Sequence, residues 1–385
     1  MKRCDVAVVG AGPAGSRVAR LLAERGFRVA LIEEHSEVGR PVHCTGLVSA
    51  RTLSLLGRVQ MLNKVSGVRA FPPEGKPLEI VAHEPKAAII DRAACDAMLA
   101  QEAVEKGAEM MLGKKATEIT INESRARIKC HPEGELDARL VIGADGISSA
   151  VRRAMGAAPP AELLPAVTAE IPIPVEWRRD LVDIYVGRKV APGFFAWAVP
   201  ADKVLRVGLA SNPGTQQLAL LERLIKKRFG DAPRLSLNAG AIPIGLTERA
   251  HGLRSLLVGD AAGHVKPLSG GGIYLGLTCA GLCADAAERA LNSDKLSEKG
   301  LAGYTRACKR EIGKELSRSL KMRKLFVSLT DEDMRVALDL LRPADVVAAV
   351  ALHGDIDFPS RLAKPVLHRA PGLMRFSPKL LKALL

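Results

Sequence analysis

Residues 5–9 (Asp5-Val6-Ala7-Val8-Val9) are apolar after the first position, which predicts a buried strand. A glycine-spaced turn follows. Val18, Leu21 and Leu22 then share one helical face, and Gly26 ends that helix. A second strand over 28–32 closes on Glu33 and Glu34, and a loop carries Gly39 to Gly46. Residues 65–86 are short-patterned and Pro-rich, an excursion into a second unit. A helix opens at Asp91-Arg92 and runs to about Lys106, before strand-like runs near 108–130 and 140–142. Pro159, Pro160, Pro165, Pro172 and Pro174 mark another crossing. Several short strands and one helix near 215–229 occupy 165–245, and the chain returns to the first unit at 256–259. A helix dense in small residues spans 273–291. Beyond 300 the pattern is helical: Ile312, Leu316 and Leu320 recur every four residues, and Thr330 to Asp333 is spaced as a capping box.

The pattern predicts an α/β protein: a Rossmann-like first domain with an inserted β-sheet substrate domain and a C-terminal helical region. The expected boundaries are 1–64, 87–158 and 246–300 for the first, 65–86 and 159–245 for the second, and 301–385 for the third. Composition changes this little. Apolar residues make up 48% and charged residues 25%, an ordinary globular balance. No apolar run is long enough to span a bilayer, and Lys2-Arg3 leads into a strand rather than a signal peptide. Seven cysteines, none in a C-x-x-C pair, and eight histidines without metal spacing predict a reduced, cytoplasmic protein with no metal site. Cys279 and Cys283, one helical turn apart, are expected to serve packing. The formal charge of +14 is concentrated late: from residue 301 onward there are 16 Lys and Arg against 9 Asp and Glu. Such a surface suits an anionic lipid headgroup, an acidic protein or nucleic acid, or is simply solvated.

Gly10-Ala11-Gly12-Pro13-Ala14-Gly15 supplies the chemistry. It lies between a strand and a helix, so its backbone N–H groups stand where a pyrophosphate meets a helix N-terminus. Gly10 allows the tight turn, Gly12 the close approach of phosphate, and Gly15 the close packing of helix on strand. Glu33 ends the next strand, placed to accept ribose hydroxyls. Two later segments select FAD over NAD: Gly143 to Arg152, and Gly259-Asp260-Ala261-Ala262-Gly263 running on to Gly270-Gly271-Gly272. They resemble the signature segments of the flavoprotein group that includes the para-hydroxybenzoate hydroxylases. That resemblance implies that Asp260 binds a cofactor hydroxyl and that Gly271, Gly272 and Ile273 lie along the flavin ring. It also sets Ala14, Arg92 and Ala116 at the cofactor.

Arg40-Pro41-Val42-His43-Cys44-Thr45-Gly46 resembles the R-P-x-x-C-x-G motif of the geranylgeranyl reductase family, which includes the archaeal digeranylgeranylglycerophospholipid reductases. Phe195-Ala196-Trp197-Ala198-Val199-Pro200 is similar to the family's Y-x-W-x-F-P, with Phe for Tyr and Val for Phe. Order and spacing match over about the first 300 residues. The resemblance implies an FAD-dependent reductase of isoprenoid C=C bonds. Arg40, Cys44, Thr45, Gly46 and Leu47 are then at the flavin, and Phe195, Trp197 and Pro200 at the substrate. Only 13 residues are aromatic, yet Phe194, Phe195 and Trp197 fall together, the composition of a pocket wall or of a small core.

An isolated alkene lacks a carbonyl to take up charge, so its reduction needs a proton donor beside the hydride. Cys44 and His43 are the candidate catalytic residues, a loop-held water the alternative. The expected partners are an isoprenoid lipid, an electron donor such as ferredoxin or NAD(P)H, and a membrane surface met peripherally, but not nucleic acid. Residues 364–385 mix Arg369, Arg375, Lys379 and Lys382 with Leu373, Met374, Phe376, Leu380, Leu381, Leu384 and Leu385, an interfacial segment or a packing one. Ser377-Pro378 is expected to start a last helix. Other readings are an FAD monooxygenase or halogenase, and a flavin-bearing lipid-binding or electron-transfer protein. Bacteriochlorophyll and quinone side chains are alternative substrates.

Overall fold

The computed structural model describes residues 2–378. Strand Lys2–Val9 is central because its apolar positions are buried on both faces. It pairs in parallel with Val29–Ile32 on one side and Glu135–Gly143 on the other. The eight-stranded sheet continues outward through Glu109–Met111 at one edge and Ser255–Leu257 and His251–Gly252 at the other. A branch adds Ala126–His131 and Lys115–Ile121. Helices Pro13–Glu24, Arg92–Glu105 and Ile273–Asn292 supply the rest of this unit. Val18, Ala19 and Leu22 of the first pack with Leu275, Cys279 and Ala280 of the last in one core.

A seven-stranded sheet runs in the order Ser236–Ile244, Glu162–Pro172, Val204–Ala210, Phe195–Ala201, Leu181–Val186, Gly67–Phe71 and Leu78–Val81. Two chain excursions, 67–81 and 162–244, therefore build one sheet. Its residues alternate between two environments, as a strand's period of two requires. Ala196, Ala198, Leu205, Val207 and Leu209 meet Leu221, Leu224 and Ile225 of helix Gln217–Phe229. Val199, Ala201 and Val182 meet Val65, Ala87, Ile89 and Leu47 on the side of the first unit. That second face carries the site.

Helix Glu298–Ser328, 31 residues long, buries Ile312 and Leu316 as its spacing predicts, while Leu320 rests against the Phe194 cluster. The Thr330–Asp333 capping box opens helix Asp331–Leu340. The late region is tied to both sheets. Arg323 donates to Gly193 O at 3.0 Å and Glu162 at 2.7 Å, and buried Lys266 reaches Ile356 O and Asp357. Among the described residues no helix is long and apolar enough to cross a membrane. Of the candidate interfacial segment, Leu367, Leu373 and Met374 turn onto Met322 and Leu325 of the long helix, so this apolar side is already covered by protein. The expected last helix and Lys379, Leu380, Leu381, Lys382, Leu384 and Leu385 lie outside the described residues.

Candidate active site

The first turn is built for an anionic ligand. A Cβ on Gly15 would stand 1.9 Å from the carbonyl oxygen of Gly10, so helix and strand meet at a distance only glycine permits. At Gly12, beyond its chain neighbours, no protein atom lies within 4 Å of such a Cβ. Gly12 is the N-cap of helix Pro13–Glu24 without a side-chain cap, leaving first-turn N–H groups for a ligand. Glu33, buried, accepts from Ala11 N–H at 2.9 Å and His35 N–H at 3.0 Å, which fixes its carboxylate beside the turn. Ala116 is the second residue of strand Lys115–Ile121, where Lys115 pairs with Glu34 at 2.6 Å.

The two later segments are clasped together. Asp145 accepts from Ala150 and Val151 N–H, and Ser149 caps the short helix Ala150–Ala154. Buried Arg152 then bridges Ile147 O at 2.6 Å and Ala261 O at 3.3 Å. The Asp260 carboxylate takes no hydrogen bond from the described residues, although its backbone carbonyl accepts from Gly263 N–H at 3.0 Å, and burial pushes the carboxyl up, opposed by Arg92 and His264. Gly272 is a second N-cap without a side-chain partner, opening the helix that starts at Ile273, and Gly271 packs on Lys266. Ala14 and Gly259 approach across the same cleft. Two uncapped helix ends and an unpaired carboxylate fit a ligand offering phosphates and hydroxyls, which is what FAD presents.

The Cys44 loop roofs this region. Gly46 has φ of +76°, and a Cβ there would meet Ile90 O at 2.5 Å and Arg206 Nη1 at 3.2 Å. Ile90 N–H donates to Gly46 O at 3.0 Å, leading into strand Leu47–Val48. Cys44 is half-buried, with its sulfur accepting from Gly46 N–H at 3.4 Å. Arg206, from the second sheet, donates to Thr45 O at 2.9 Å and to Glu170 at 3.1 Å. Beneath the loop, Arg92 pairs with Asp96 at 2.7 Å, both largely buried. Arg40 stays exposed and pairs with Glu37 at 2.9 Å.

Between loop and sheet lies a cavity of about 640 Å³ lined by His35, Arg40, His43, Cys44, Thr168, Glu170, Arg206 and Asn238, among others. Charged and amide side chains make up much of its wall, and the aromatics Phe194, Phe195 and Trp197 are not part of it. The sequence reading missed Glu170, Arg206 and Asn238 because they come from three strands that only sheet pairing brings together. His43 lies against Gly240. Burial, then the charge of His35, holds its imidazole below the ordinary value, so it is neutral at pH 7. A ring-proton NMR titration is expected to give His43 a midpoint below that of a histidine peptide, about 6.5. An equal or higher midpoint contradicts this burial.

Phe195 and Trp197 occupy the sheet face turned to the first unit. Phe195 stacks on Phe194 at 4.3 Å and meets Trp197 edge-on at 6.0 Å. They sit with Leu164, Ala210 and Ile244, in a small core rather than in the wall of the polar cavity. Pro200 requires correction as their companion. It pairs with Leu205, so strand alternation sends it to the opposite face, toward helix Gln217–Phe229.

The FAD binding domain family matches residues 3–308. Digeranylgeranylglycerophospholipid reductase 2 of Methanopyrus kandleri is 32% identical over 98% of this chain and 99% of its own. The digeranylgeranylglycerophospholipid reductase of Methanothrix thermoacetophila is 31% identical over 89% of this chain and 93% of its own. A crystal structure of a geranylgeranyl bacteriochlorophyll reductase-like protein from Thermoplasma acidophilum has the same fold, with TM-score 0.87 at 22% identity over 99% and 100% of the two chains. The flavin-dependent brominase Bmp2 shares it more distantly, at TM-score 0.73 and 15% identity over 98% and 100%.

Proposed function

This chain belongs to the FAD binding domain family and, within it, to the digeranylgeranylglycerophospholipid reductases, and on that premise we propose that it hydrogenates C=C bonds of geranylgeranyl chains in archaeal membrane glycerophospholipids. The observation that carries the reading is the R-P-x-x-C-x-G loop, Arg40 to Gly46, held against the cofactor region by Arg206 and Ile90. Bound FAD supplies the hydride. Gly12, Glu33, Asp260 and Gly272 hold the cofactor, and Arg92, Ala116 and the loop backbone flank it. Cys44 provides the proton, and His43, neutral at pH 7, passes protons between Cys44 and the polar cavity. The half-buried edges of Phe195 and Trp197, outside the polar cavity, contribute apolar surface to the prenyl chain.

The electron donor is an acidic ferredoxin or NAD(P)H. Arg306, Lys309, Arg310, Lys314 and Lys324 are exposed along one helix, which supports an acidic protein or an anionic lipid surface as the partner of that face. Incubation of FAD-loaded protein with reductant and a geranylgeranyl glycerophospholipid is expected to add two hydrogens per step by lipid mass spectrometry. The polar cavity favours a second reading, oxygenation or halogenation of a polar substrate. Stoichiometric oxygen consumption with no gain of hydrogen would replace the first reading with the second.

A further inference from the structure

In the core of the first unit, which contains Cys279 and Cys308, one ligand-type atom from each of His264, Cys279 and Cys308 lies within 4.8 Å of the others. All three residues are buried. Cys279 and Cys283 are on helix Ile273–Asn292, Tyr304 and Cys308 on helix Glu298–Ser328, and His264 on the loop after Asp260. The hydrogen bonds set the chemistry. Gly259 N–H donates to His264 Nδ1 at 3.2 Å, so Nδ1 is the acceptor and Nε2 carries the ring proton. A metal-bound histidine has the reverse arrangement, with its second nitrogen donating outward. His264 is therefore a donor to sulfur rather than a metal ligand. Tyr304 spends its hydroxyl proton on Leu257 O at 2.8 Å.

We propose that Cys279 and Cys308 are a redox pair, in which a small peroxide oxidises Cys308 and Cys279 closes a disulfide between the two helices of that core. The Cys279 thiol, and then His264, hold the Cys308 thiol well below the ordinary range, against burial. Burial and the neighbouring sulfurs hold Cys279 and Cys283 well above it. Glu311 and Asp285 are the acidic groups that bear on the cluster. Cys308 is thus the attacking thiolate and Cys279 the resolving thiol. The thiolate attacks one peroxide oxygen, the O–O bond breaks, and the departing hydroxide takes a proton as water, leaving a sulfenic acid. The Cys279 sulfur then attacks the Cys308 sulfur; the S–O bond breaks, and the Cys279 proton leaves with hydroxide as a second water. Two thiols lose two electrons and two protons, and one peroxide becomes two waters. A thiol reductant reverses the change. Closure removes the acceptor from the His264 N–H, and that imidazole is bonded to Gly259, next to Asp260.

The test treats FAD-loaded full-length protein with hydrogen peroxide, then alkylates it in denaturant and maps its peptides. The expected product is a linked pair containing Cys279 and Cys308, with intact mass lower by two hydrogens. Cys279→Ser should instead leave a sulfenic acid on Cys308 that a cyclic dione traps. Between pH 6 and 8 the rate should change less than about twofold, whereas an ordinary thiol gains roughly tenfold per pH unit below its pKa. His264→Phe should slow the reaction at pH 6 by about tenfold. Recovery of Cys279 and Cys308 fully alkylated after peroxide overturns the proposal. So does stoichiometric zinc that must be removed before either thiol reacts.

Discussion

Gly12→Ala is expected to give a protein that folds normally and binds FAD about 100-fold more weakly, a loss of roughly 2.7 kcal/mol. Gly12 has φ −66° and ψ 178°, backbone that alanine adopts freely. The added methyl group meets no protein atom within 4 Å beyond the chain neighbours. Losing glycine's N-cap preference and gaining a stiffer unfolded chain nearly cancel, so apo stability should stay within about 1 kcal/mol. The space the methyl enters is the approach to the uncapped end of helix Pro13–Glu24. Each charge-assisted hydrogen bond weakened there costs about 1.5–3 kcal/mol.

Gly15→Ala separates the roles of the two glycines. Its Cβ would stand 1.9 Å from Gly10 O and 2.9 Å from Ala144 Cβ, so helix and strand must part. Thermal stability should then fall along with flavin binding, by about 1–3 kcal/mol. Flavin titration followed by visible absorbance, beside a denaturation curve of the apo protein, reads both. If Gly12→Ala binds FAD like the parent, the phosphates do not lie on this turn.

The contrast explains which parts of the protein were legible in its sequence. Glycine spacing, the Glu33 strand end, the helix opened by Asp91 and the Thr330–Asp333 box are local, each encoded within a few residues, and the structure forms each of them. The cavity is not local. Glu170 and Arg206 are partners because strands Glu162–Pro172 and Val204–Ala210 pair antiparallel, a register no short motif states. Sequence spacing pairs Cys279 with Cys283, four apart on one helix, but Cys308 joins them only when the late helix packs on that core. The clustered aromatics left pocket and core open. Phe194, nearly fully buried, belongs to the core, while Phe195 and Trp197 are half-buried and keep an open edge.

Cys44→Ser should keep FAD bound and lower the single-turnover rate of alkene reduction by about 100-fold, the lower end of what a positioned acid contributes. Serine is nearly the same size and still accepts from Gly46 N–H, so the loop geometry set by Ile90, Gly46 and Arg206 survives. What changes is the acid: a hydroxyl gives up its proton far less readily than a thiol. Cys44→Ala distinguishes proton delivery from shape. Equal losses in both variants identify the thiol as the donor; full rate in the serine variant with loss only in alanine leaves Cys44 a structural contact. His43 predicts a different signature. Its depressed pKa means that a donor imidazolium disappears as pH rises through a midpoint below about 6.5, so a rate lost across that acidic interval would transfer the role to His43. Both residues line one polar cavity, so the proton has a route to the loop on the same side as Arg206 and Glu170. A polar wall does not solvate an alkene, so a prenyl chain reduced at this loop is expected to pack its double bond away from Arg206, Glu170 and Asn238.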